Sequence, residues 1–131
     1  MREPLRDKNR LEHMLNAIDT ILERSKVLSF EDLTKDKIIF AGIVYYTMII
    51  GEACYKLSPA FKEQHIQVNW RVIAGMRHHL VHGYYQVSPH DVWDVVQHDL
   101  APLREQIVGL IATIDWDEWT AIENNSMDRP K

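Results

Sequence analysis

The sequence predicts an all-α fold, an antiparallel bundle of four or five helices. Five Gly and five Pro in 131 residues leave few breaks, which favours long helices over many short strands. Apolar residues recur at spacings of three and four through long stretches. Between those stretches lie "SFEDL", "LSPAF" and "VSPHD", each with the chemistry of a helix start. Hydrophobic residues at 46% and charged residues at 26% are the composition of one folded domain.

The first helix is expected from about Leu5 to Val27. Leu11, Met14, Leu15, Ile18, Ile21 and Leu22 form one stripe, while Arg10, Glu12, Asp19, Glu23 and Arg24 lie mostly off it. Ser29 followed by Asp32 predicts a cap and a short helix start. Lys37 to Leu57 is the most apolar segment, with apolar residues all round. Such a helix is buried on most sides, either at the centre of the bundle or beneath a second subunit. About 20 residues without a breaker is too long for a strand.

Ser58-Pro59 predicts a cap with proline at the first helical position. Asn69 caps the next helix, "WRVIAGMRHHLVHGYY", which is expected to fray or end at Gly83. Ser88, Pro89 and Asp91 start the last long helix, which runs to about Ile114 with a kink at Pro102. Residues 1–115 therefore read as the bundle. Residues 116–131 read as an acidic tail, mobile after about Asn124, whose Trp116 and Trp119 fold back on the core.

Lys plus Arg total 15 against 19 Asp plus Glu, a formal net charge of -4. That argues against broad nonspecific nucleic-acid binding but leaves room for a small basic cleft. The single Cys54 allows no intramolecular disulfide and sits among apolar residues, as a buried core thiol would. The amino-terminal stretch lacks the apolar run of a signal peptide. The longest apolar run, Ile38 to Ile50, has 13 residues, short of the ~18 needed to span a bilayer. A cytoplasmic protein without a membrane partner is the expectation.

One stretch stands apart. "RHHLVHGYY", Arg77 to Tyr85, gathers one arginine, three histidines and two tyrosines. RNA cleavage without a metal needs a base for the 2′-hydroxyl, an acid for the leaving oxygen, and positive charge on the phosphorane. Histidine suits the proton transfers because its pKa lies near neutrality. Arginine suits the phosphate because its planar fork reaches two oxygens. Arg77 and His82 are five residues apart, about 140° around a straight helix. They can converge if the chain unwinds near Gly83, or if two copies of the helix face each other.

Other chemistries compete. His78–His82, His90–Asp94 and Asp94–His98 are i, i+4 pairs that could hold a metal, but no HExxH or paired CxxC is present. No nucleophile motif or Gly-rich phosphate loop occurs. The plain structural reading is that Arg77 and the histidines cap a helix end and solvate a surface.

"GMRHHLVHGYYQVSPHDVWDVV" resembles the signature of the HepT-like toxins, a branch of the all-helical HEPN superfamily. The pattern is Arg, four residues, His, one residue, Tyr, here Arg77, His82 and Tyr84. "LSFEDL", "IIGEACYKLSP" and "VNWRVIAGMR" resemble the corresponding stretches in order, so the likeness covers roughly residues 5–112. The resemblance implies a helical bundle that dimerises and brings two motifs into one cleft. It implies a metal-independent ribonuclease that needs no cofactor, with Arg77 stabilising the phosphate and His82 as general acid/base. It also implies a partner, a MntA-like minimal nucleotidyltransferase antitoxin that silences the toxin by transferring AMP to Tyr84. A bulky anion there would pair with Arg77 and exclude RNA.

His78 departs from the pattern, which commonly has Asn after the Arg. Glu52, in the otherwise apolar "IIGEAC", is expected to contact Arg77 or a motif histidine, since buried acids are usually paired. The competing reading is a non-catalytic interaction module that docks a nucleotidyltransferase or binds nucleotide.

Overall fold

The computed structural model describes residues 6–83 and 86–127, with the backbone alone at 79, 81, 82, 126 and 127. Among the described residues every regular element is helical. The order is α1 (Asp7–Ser25), α2 (Phe30–Lys35), α3 (Lys37–Tyr55), α4 (Pro59–Gln64), α5 (Trp70–Gly83), α6 (Pro89–Asp94), a π-helical turn (Val95–Asp99), α7 (Leu100–Thr113) and α8 (Trp116–Met127). α6, the π turn and α7 follow one another without a break. The frame is therefore five long helices carrying two short ones.

The starts form as the local chemistry dictates. Ser29 and Asp32 close a reciprocal capping box on α2, Ser29 Oγ accepting from Asp32 N and Asp32 accepting from Ser29 N. Ser58 Oγ accepts from Phe61 N at the head of α4, and Ser88 Oγ accepts from His90 N at the head of α6. Asn69 Oδ1 accepts from Val72 N at 3.4 Å, at the head of α5. Asp36 caps α3 through Ile38 N and Ile39 N.

The kink expected at Pro102 takes the form of the π turn just before it. Leu100 N reaches back to Val95 O, five residues away. Proline lacks an N–H and its ring crowds the carbonyl four residues earlier. One widened turn absorbs that clash, and α7 restarts with Pro102 in its first turn.

α3 packs against α1 on one side and α5 on another, while α1 also packs on α7. The core these helices share includes Leu11, Met14, Ile18, Ile50, Leu57, Leu100 and Ile107, all at 2% exposure or less. Phe61 is fully buried at an aromatic hub, with ring centroids 6.0 Å from Trp70, 6.1 Å from Trp116 and 5.6 Å from Trp119. Cys54 is buried and donates to Trp70 O at 3.3 Å; burial pushes its thiol up to about 11.

Of the two expectations for α3, burial at the bundle centre is not met within one chain, and cover by a second subunit remains open. Ile43, Thr47, Ile50, Gly51, Ala53 and Cys54 are buried, but Ile38 is 84% exposed, Tyr45 59% and Tyr55 60%. The single chain leaves one apolar face of α3 open. By length and hydropathy alone its 19 residues could cross a bilayer, a property it shares with core helices. The apolar run of the sequence is shorter than the helix because the charged Glu52 interrupts it without ending α3.

α8 packs on the bundle through Trp116 and Trp119. Trp119 is 5% exposed, and its indole N–H donates to Asp7 Oδ2 at 2.9 Å. Asp7, 2% exposed, also accepts from Ser58 N at 2.8 Å and Ser58 Oγ at 2.7 Å. Its own N–H donates to Glu123 Oε2 at 3.1 Å. One carboxylate thus clasps the starts of α1 and α4 to α8, with both its oxygens satisfied.

Candidate active site

Arg77 lies on α5, seven residues after Trp70 opens that helix, facing the carboxyl-terminal end of α3. The two helices meet closely because of Gly51. A Cβ built on Gly51 would lie 2.6 Å from Arg77 Cβ and 2.7 Å from Arg77 N. Only a residue without a side chain lets the α5 backbone come so near.

That approach places two groups against the guanidinium and a third beside its carboxylate partner. Glu52 Oε2 pairs with Arg77 Nε. The Arg77 Cζ sits 5.4 Å from the centroid of the Tyr55 ring, a cation–π contact. Lys56 Nζ lies 3.4 Å from Glu52 Oε1, so Glu52 bridges two cations. Of the two partners expected for Glu52, Arg77 or a motif histidine, the contact with Arg77 is present. Glu52 is not deeply buried, however: its side chain is 39% exposed and that of Arg77 32%. An ion pair this open contributes little to stability, about 1 kcal/mol or less. What it does is orient the guanidinium, held at one edge by a carboxylate and across one face by an aromatic ring.

A groove of about 420 Å³ opens beside this pair. Arg10 and His13 of α1 line one wall, Tyr45, Met48 and Glu52 of α3 with Lys56 just beyond its end the floor, and Arg77 the far side. Three fixed cations and one imidazole face a single acid there. A chain of net charge -4 therefore carries a locally basic groove.

The other motif residues stand as follows. His78 is exposed on α5, next to Arg77. The helix continues through His82 to Gly83, so no unwinding separates Arg77 from His82. They remain about 140° and ~7.5 Å apart along one straight helix. The His82 side chain and all of Tyr84 lie outside the described residues. His90 Nδ1 and Asp94 Oδ2 are 3.5 Å apart on exposed α6, and no third metal-binding side chain joins them among the described residues.

Sequence reasoning missed Gly51, Tyr55, Lys56, Arg10 and His13. The i, i+4 spacing of Glu52 and Lys56 was a local signal for that pair. Arg10 and His13 reach the groove only through the packing of α1 on α3, which no local pattern encodes.

The sequence is similar to known proteins over most of its length. The family model described as ribonuclease HepT-like matches residues 14–109. A protein of Caldanaerobacter subterraneus subsp. tengcongensis, provisionally named an RNase, is 38% identical over 97 residues, 74% of this chain and 87% of its own length. The probable ribonuclease HepT of Thermococcus cleftensis is 34% identical over 97 residues, 74% of this chain and 88% of its own length. A Methanocaldococcus jannaschii protein, also provisionally named an RNase, is 27% identical over 113 residues, 86% of this chain and 93% of its own length. No solved structure matches.

Proposed function

The chain belongs to the ribonuclease HepT-like family, and from that premise we propose that it is the RNA-cleaving toxin of a two-component toxin–antitoxin pair. The observation that carries this reading is the oriented guanidinium of Arg77, held by Glu52 and Tyr55 at the edge of a basic groove. With Nε given to Glu52, the Nη edge of Arg77 is the part that would meet phosphate oxygens. His82 acts as general acid/base on the 2′-hydroxyl and the leaving 5′-oxygen. No metal ion enters this chemistry, because RNA supplies its own nucleophile.

Arg77 and His82 occupy backbone positions about 140° apart around α5. The arrangement that unites them is a homodimer in which Arg77 of each copy works with His82 of the other. Exposed Tyr46, Tyr55 and Val72 on α3 and α5 provide the apolar surface such a pairing would bury. His78, beside Arg77, supports the same cleft. Tyr84, two residues past His82, is the site at which a MntA-like minimal nucleotidyltransferase attaches AMP and silences the toxin. The setting for this pair is the cytoplasm, where RNA and the antitoxin are met together.

The test is RNA cleavage in EDTA by the native chain, Arg77→Ala and His82→Ala, each shown to fold and to keep the native oligomeric state. Loss of cleavage in both variants supports the reading. Equal inertness of all three chains defeats it.

A further inference from the structure

A second groove adjoins the first. It has a volume of about 490 Å³ and follows the amino-terminal half of α3, with Leu33 of α2 on one side and Val87 and Pro89 on the other. Its floor is Phe40, Ala41, Val44, Tyr45 and Met48 of α3. Tyr45 and Met48 line both grooves, so the two adjoin along α3 as a channel in two halves.

The register of α3 explains the continuity. Lys37, Ala41, Val44, Met48, Glu52 and Lys56 recur at spacings of three and four and so share a face. From Phe40 to Lys56 that face is about 24 Å long at ~1.5 Å per residue. The channel changes character along its length. Arg10, His13, Lys56 and Arg77 gather at one end, and the other is mostly aromatic and aliphatic, with Thr34 and Lys37 at its rim.

A polyanion with flat apolar groups at regular intervals matches such a surface, and single-stranded RNA is that molecule. Anionic groups meet the basic end, and a base finds an aromatic platform at the other. Tyr45 is 59% exposed, edge-on to Tyr46 at 5.6 Å, with a ring in contact with solvent. His13 is exposed on α1.

We infer that the α3 channel binds RNA beyond the reacting phosphate, with one base stacked on Tyr45 in the apolar half and an adjacent phosphate on Arg10 and His13 of α1. This rests on the ribonuclease reading and adds its substrate subsites. RNA presented single-stranded is the preferred substrate, because a paired base cannot enter the apolar half. Arg10 and His13 bind without taking part in bond making, so they set KM rather than kcat.

The experiment is steady-state cleavage of a labelled single-stranded RNA of about 12 nucleotides. The chains are native, Tyr45→Ala and the double variant Arg10→Gln/His13→Gln, with melting curves to show that each folds. All three substituted side chains lie wholly or partly at the surface. Tyr45→Ala is expected to raise KM about tenfold, with kcat nearly unchanged. That effect should vanish on RNA made abasic at the stacked position. Arg10→Gln/His13→Gln should raise KM and reduce the salt dependence of log KM by about 0.7 for each phosphate no longer neutralised.

Native KM and native salt dependence in both variants, while the native chain cleaves, would overturn the channel and leave the ribonuclease standing. Unchanged KM together with weakened binding of a nucleotidyltransferase partner would make the channel a protein-docking face and overturn it as well. A native chain that neither binds nor cleaves the RNA would remove both.

Discussion

Gly51 and Glu52 are neighbours with separable roles. Gly51 makes room; Glu52 aims. A methyl group at Gly51 would strike the Arg77 backbone, which cannot swing aside as a long side chain could. Gly51→Ala is therefore expected to push α5 off α3 and to cost about 2 kcal/mol. The check is a lowered urea midpoint at unchanged slope. Glu52→Gln keeps the shape and removes the charge. Its half-open ion pair is worth little to stability, so the melting temperature should hold. Cleavage should still fall between about tenfold and a hundredfold, because a guanidinium displaced by an ångström loses its phosphate geometry. A variant that melts early yet keeps full activity per folded molecule would reduce Glu52 to a structural residue.

At the scale of elements, the clasp at Asp7 does more than any single helix contact. It satisfies Ser58 N–H, Ser58 O–H and the Trp119 indole N–H at once. Asp7→Ala would strand these donors in a buried place, at a cost on the order of 3 kcal/mol. Trp119 should then become accessible to a fluorescence quencher at denaturant concentrations too low to unfold α1–α7. The helix starts were readable because their chemistry is local: Ser29 with Asp32, Ser58 with Pro59 and Ser88 with Pro89 each declare themselves within four residues. The state of α3 was not readable. A helix covered all round and one that keeps an open apolar face have the same composition, and only the positions of α1 and α5 tell them apart. The same holds for the groove. Arg77, Glu52 and His82 stand out in the sequence, while Arg10 and His13 lie more than 60 residues from Arg77 and join it only through packing.

Across the whole molecule, two carboxylates respond to pH in opposite senses. Burial holds Glu123 above its ordinary 4.5, reinforced by the charge of Asp7 and opposed by the Asp7 N–H, Arg6 and Arg10. The folded chain then keeps a proton that the unfolded chain has released, so this contribution to stability declines as pH rises above 4.5. Hydrogen bonds from the Ser29 backbone and hydroxyl hold Asp32 below 3.8. Its contribution is complete above 3.8 and is lost as pH falls through the lowered value. Urea midpoints measured against pH should therefore lose part of their decline above 4.5 in Glu123→Gln. Asp32→Asn should instead flatten the acid limb. The same change in both limbs for either variant would contradict the assignment.

The clasp also sets a timetable. Asp7 leaves the ribosome before Glu123, which follows 116 residues later. At ~5–20 residues per second, roughly 6–23 s separate them. Until Trp119 and Glu123 emerge, Asp7 and Ser58 at the starts of α1 and α4 have no α8 to hold. A nascent chain stalled before that point carries Arg77 and His82 already synthesised but lacks the contact that closes α8 onto the bundle.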